Sequence, residues 1–149
     1  NCCPARFVFV RTPAQRELLV SCVSAGNVAK VRAAPVTVVI GMDMAFYEQL
    51  PRLYPQADAR SWFAGKPEAI AREALRSSSL QAAYLIIAAR ALGLDCGPMG
   101  GIDATKMDAA FFADTTVKSH MICALGQADP ARQRARNPRL SFEEACRLL

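Results

Sequence analysis

Apolar and polar positions along the chain change period several times, and each change predicts an element. "RFVFVRT" alternates and is rich in aromatic and β-branched residues, which predicts a strand over residues 6–12. Pro13 then suits the first turn of a helix over 14–24, with Leu18, Leu19 and Val23 turned inward. "GNVAKVRAA" reads as a short second helix. "PVTVVIGM", residues 35–42, is an unbroken apolar run of strand length, as expected of a central strand covered on both faces. A second such strand is expected over "TVKSHMICALGQ".

The longest pattern starts at Pro67 and runs to about Leu92, a helix of about 39 Å at the standard rise. Its first half is amphipathic, with Glu68, Arg72, Glu73 and Arg76 on the polar side. Its second half, "LQAAYLIIAARAL", is apolar nearly all round and therefore requires cover on two sides. In a chain of 149 residues the second cover points to another subunit. Between the strand at 35–42 and this helix, "MAFYEQLPRLYP" predicts a short helix broken by Pro51 and Pro55, followed by loop. Phe46, Tyr47, Tyr54, Trp62 and Phe63 cluster there, as a satellite core or as a lid over a flat ligand. Asp103 is placed to cap a helix "ATKMDAAFF", and Ser141 and Glu144 have capping-box spacing before a C-terminal helix. Helices and strands interleave without βαβ rhythm or internal repeat, so the predicted class is α+β, a sheet flanked by helices, in one domain.

Composition narrows this little and excludes more. Hydrophobic residues are 52% of the chain, enough for a core without staples. The apolar run at 80–89 is about half a membrane span, and no signal-peptide pattern opens the chain, so a soluble protein is expected. Six cysteines lack zinc spacing, and a reduced, cytoplasmic protein is expected. The single histidine, His120, falls inside a strand pattern and reads as structural, and it leaves His-rich metal sites without ligands. No phosphate-binding P-loop, dinucleotide fingerprint or nucleophile elbow is present. Side-chain acid–base chemistry is thus a poor engine here, and a cofactor would carry any difficult step.

Two features are left unexplained by packing. "GLDCGPMGG" sets Gly93, Gly97, Gly100 and Gly101 straight after the long helix; Gly93 reads as its C-cap, but one turn does not need the rest. "ARQRARNPR" gathers Arg132, Arg134, Arg136 and Arg139, which carries most of the net charge of +5. It suits a solvated tail, a phosphate site on a small ligand, or nucleic acid; the aromatic interleaving of a single-strand platform is absent, which puts nucleic acid last.

"NCCPARFVFV", "SAGNVAKVRAAPVTVVI", "LQAAYLIIAARALGLDCGPMGGID" and "PRLSFEEACRLL", taken in order, resemble the FMN-dependent nitroreductase family, and within it the malonic semialdehyde reductase branch. The resemblance implies a central, mainly antiparallel sheet flanked by helices, with the long central helix at a homodimer interface that holds FMN. It implies that Asn27 and Lys30 of "GNVAK" meet the polar edge of the flavin ring, Lys30 as the cation where reduction develops negative charge. "GPMGG" resembles the family's Pro-x-x-Gly loop, so Pro98 lies beside the ring and the backbone N–H of Gly100 or Gly101 donates to N5. The family often has glutamate where Gly100 stands, but a main-chain donor is indifferent to that. Arg134 and Arg136 match the family's basic pair on the FMN phosphate, where guanidinium pairs bidentately. Asn1 matches the asparagine that ends the family's Pro-Ser-x-x-Asn motif, while Cys3 and Ala5 stand where a glutamine and an aromatic are common. About the first quarter of a typical member, with another flavin-phosphate motif, has no counterpart here, so this 149-residue form is expected to bind FMN poorly.

The activity implied is hydride transfer from NADH or NADPH through flavin to a small carbonyl acid, malonic semialdehyde giving 3-hydroxypropionate. Three alternatives accompany it: a broad quinone or nitroaromatic reductase, a non-catalytic flavin or anion binder of the same fold, and a nucleic-acid module built on the arginines.

Overall fold

The computed structural model describes residues 2–133 and 135–149. Four strands form one antiparallel sheet: β1 (Ala5–Val10), β2 (Val36–Asp43), β3 (Asp95–Met99) and β4 (Val117–Gly126), in the order β1-β2-β4-β3. Helices α1 (Pro13–Val20), α2 (Ala25–Ala33) and α5 (Ala104–Phe111) cover one face. The long α4 (Pro67–Ala91) covers the other. The short α3 (Leu50–Leu53) and α6 (Phe142–Ala145) complete the helices. This is the α+β, helix-flanked antiparallel sheet expected.

The unbroken apolar run of β2 makes it central. Val38, Val39 and Ile40 are each fully buried, Val39 toward α1, α2 and α5 and the other two toward α4. A fully apolar strand is stable only with both faces covered. In β4 the alternation of faces breaks at His120. Register runs Ile40↔Met121 and then Gly41↔Ser119, leaving His120 as the extra residue of a β-bulge. The bulge reverses the phase: Val117 and Ser119 face α5, whereas beyond it Ile122 does so, and His120 is turned to α4.

The aromatic segment resolves as a satellite core. Phe46, Leu50, Ala59 and Ala74 are buried together against Phe63 and Tyr47, and Phe46 meets Phe63 edge-on at 5.0 Å. The glycine-rich stretch differs from expectation. Gly93, at φ +81°, ends α4 as predicted, with Gly93 N–H on Arg90 C=O and Leu94 N–H on Ala89 C=O, a Schellman motif. The residues that follow are not loop but the edge strand β3, where Pro98, lacking an N–H, is tolerated because an edge strand has a free side.

α4 packs on the sheet through Ala82 and Ala89, with Ser78 against His120 of β4, and its first half buries Ala74 in the satellite core. Its opposite side shows Leu80, Tyr84 and Ile87 at 58%, 73% and 63% exposure. They recur at i, i+4 and i+7, a stripe along one helix face. The second cover that the sequence demands is not supplied by the described residues of the chain itself.

Candidate functional site

The glycine segment after β3 is locked to the start of α2. Gly101 C=O accepts from Ser24 N–H at 3.0 Å and from Asn27 Nδ2 at 3.0 Å. Asp103 N–H donates to Cys22 C=O at 2.8 Å, and Val23 and Ile102 form a bridge between the two segments. A Cβ on Gly101 would stand 2.5 Å from Ser24 Oγ and 2.8 Å from Asn27 Nδ2. Close approach is therefore the reason for this glycine, and what approaches is Ser24 and Asn27 at the start of helix α2. Gly100 is different: a Cβ there would meet nothing within 4 Å. The N–H groups of Gly100 and Gly101 donate to no acceptor among the described residues.

Three residues further along α2, Lys30 opens into a cleft of about 450 Å³. Gly97 backbone, Asp95, Ala128 and Gln133 line the same space. Ser24 is the N-cap of α2, and Asn27 and Lys30 follow as neighbours at i and i+3, so the start of this helix meets Gly101 and its middle shares the cleft with Gly97. Lys30 is exposed and has no acceptor among the described residues. Pro98 lies on β3 opposite Cys123, exposed and outside the cleft lining. Arg136 is exposed on the connector that leaves the cleft after Gln133. The expectations for Asn1 and Arg134 lie outside the described residues. Asn27, Gly100 and Gly101 form one cluster and Lys30 with the connector another, joined through α2.

Sequence reasoning missed Asp95. Its Oδ2 accepts from Ala128 N–H at 2.8 Å and its Oδ1 pairs with the Arg90 guanidinium, so it joins β3, the end of α4 and the segment leaving β4. The Ala128 N–H, and then the Arg90 guanidinium, hold its carboxyl below the usual carboxylate range. An arginine in a helix's last turn followed by an acid just past the C-cap glycine was the available signal.

His120 and the thiols do not enter this site. His120 Nε2 lies 3.1 Å from Ser78 Oγ, half-buried, and burial holds its pKa below the ordinary value. It is the structural histidine expected. Burial, with Cys96 beside it, pushes the Cys123 thiol up to about 11, so it stays protonated and inert. Among the described residues no group of three acidic, histidine or cysteine side chains is placed to hold a metal ion, and no helix is long and apolar enough to cross a membrane.

The donor set fits a flavin mononucleotide. The Lys30 ammonium lines a cleft of ligand size, the Gly100 backbone stands beside open space, and the exposed Arg136 guanidinium lies on the connector that leaves the cleft.

Comparison with known proteins agrees with this fold. A protein of Ralstonia nicotianae, provisionally named NADH dehydrogenase/NAD(P)H nitroreductase, is 59% identical over 149 residues, covering 100% of this chain and 76% of its own length. A similarly named protein of Polynucleobacter asymbioticus is 57% identical with the same coverage. Among solved structures, a nitroreductase of Exiguobacterium sibiricum in complex with FMN superposes with a TM-score of 0.85 at 21% identity, over 98% of this chain and 77% of that one. The model of the Nitroreductase family matches residues 6–127, most of the chain. This chain belongs to the nitroreductase family.

Proposed function

We propose that this protein is a homodimeric, FMN-dependent NAD(P)H oxidoreductase that reduces a small carbonyl acid, malonic semialdehyde being the acceptor we favour. The observation that carries the reading is Lys30: an ammonium without an acceptor among the described residues, opening into a cleft whose other wall leads to the arginine connector. When bound, FMN supplies two-electron hydride transfer between nicotinamide and acceptor. Lys30 stabilises negative charge that develops on the ring's pyrimidine edge, because a fixed cation acts most strongly where charge appears. Gly100 and Gly101 offer their N–H groups to the hydride-accepting nitrogen, and Gly100 without a Cβ leaves that approach open. Asn27 holds Gly101 C=O with Nδ2 and keeps Oδ1 for the ring's polar edge. Arg136, with Arg134, pairs with the phosphate. The exposed stripe Leu80, Tyr84 and Ile87 supports the dimer, since the contact would cover it.

The Lys30 ammonium suits an acceptor with one carboxylate, and the order of sequence motifs supports the semialdehyde branch. The names of the relatives favour a second reading, a broad nitroaromatic or quinone reductase.

The test is a visible spectrum of the full-length protein purified with excess FMN and desalted, followed by anaerobic NADH or NADPH. Retained flavin that bleaches, then reoxidises with malonic semialdehyde, is expected; reoxidation by nitroaromatics alone supports the second reading. Lys30→Ala should slow flavin reduction at least tenfold. A variant that loses only affinity points to a binder, and a colourless protein overturns the flavin assignment.

A further inference from the structure

We infer that Asp95 is a positioning residue that fixes the arginine connector against the Lys30 cleft, and so sets affinity for the phosphate end of the cofactor. The inference rests on the flavin reading above and goes beyond it, because that reading gives Asp95 no role.

The geometry is a three-way clasp. β3 and β4 stop pairing at Asp95↔Gly126, and beyond that point the chain has no ladder to direct it. Asp95 Oδ2 takes the N–H of Ala128, two residues past the last pair, at 2.8 Å. Oδ1 is held by Arg90, whose Nη1 also donates to Leu94 C=O at 3.2 Å. Arg90 belongs to the last turn of α4, where a cation is favoured by the helix dipole, and the Gly93 Schellman turn fixes its position relative to Asp95. The carboxylate therefore ties the segment at Ala128 to α4 and the sheet. That segment, 127–133, is one wall of the cleft and leads directly into the arginines. A side chain at the end of a flexible tail contributes to binding only after its ordering cost is met. Tethering the tail at its root reduces that cost for every arginine beyond it.

The role predicts selectivity between two ligands that differ only by phosphate. In the full-length protein, dissociation constants for FMN and riboflavin are measured by flavin fluorescence for wild type, Asp95→Ala and Asp95→Asn. Asp95→Ala should weaken FMN by about tenfold, or 1.4 kcal/mol, and leave riboflavin unchanged. Asp95→Asn keeps an oxygen acceptor for Ala128 N–H and should recover most of the loss. Faster amide exchange at Ala128 in Asp95→Ala, with the β2–β4 amides unaffected, provides a readout independent of flavin. Equal weakening of both flavins would mean a collapsed cleft and would overturn the positioning role, as would no change in either. Wild-type protein that binds neither flavin sinks the flavin reading itself and this assignment with it, whereas wild-type binding of both with equal affinity sinks only the phosphate assignment.

Discussion

Gly100 and Gly101 are chemically identical neighbours, yet their substitution by alanine should have opposite consequences. Gly101→Ala places a Cβ 2.5 Å from Ser24 Oγ, 2.8 Å from Asn27 Nδ2 and 3.4 Å from Ser24 Cβ. Ser24 Oγ makes no capping bond, so it can rotate away at small cost. Asn27 cannot move without giving up its bond to Gly101 C=O, and its residue is only 9% exposed. A lost, mostly buried hydrogen bond costs about 0.5–1.5 kcal/mol net. Residual overpacking adds about 1 kcal/mol, so Gly101→Ala should destabilise by about 2 kcal/mol. Gly100→Ala meets nothing within 4 Å, and its cost should lie within about 0.5 kcal/mol of zero, or favour the fold through a less flexible unfolded chain. The assay is urea denaturation followed by circular dichroism, with stability read from the midpoint at constant slope. Ser24→Gly in the Gly101→Ala background should recover only part of the loss, since a glycine N-cap costs a few tenths of a kcal/mol and Asn27 remains displaced. Equal stability of the two alanine variants would refute the lock between α2 and the glycine segment.

Other consequences are as direct. His120 is held below its unfolded value of 6.5 by burial, so the unfolded chain takes up a proton first as pH falls. Stability should be complete above pH 6.5 and decline below it, and His120→Gln should flatten that decline in denaturation at paired pH values; an unchanged slope would assign it to another group. Tyr84→Lys with Ile87→Lys should convert a dimer into a monomer by light scattering, and a monomeric wild type would contradict the dimer. Cys3 and Cys146 are exposed and should alkylate rapidly at neutral pH, while Cys22 and Cys123 react only on unfolding. Mass-mapped labelling that reached Cys123 before Cys146 would contradict the packing described.

Much of the site was legible as residue types without their geometry. Lys30 and the glycines stand out by motif, yet nothing in "GPMGG" says that Gly101 serves α2 and Gly100 faces open space. That distinction depends on which atoms of a distant segment arrive at each Cα. The bond from Ala128 to Asp95 was illegible for the same reason, since the two lie 33 residues apart.

The sequence alone determined the long helix, its Gly93 stop, the doubly buried strand β2, and the caps at Asp103 and Ser141. These are local: each depends on a period of apolar residues or on a side chain three positions from the N–H it satisfies. Tertiary structure decided the bulge at His120, the edge strand hidden in a glycine–proline run, and the two separate duties of Gly100 and Gly101. In each of these the deciding contact joins segments far apart in the chain, where periodicity and propensity carry no information about who meets whom.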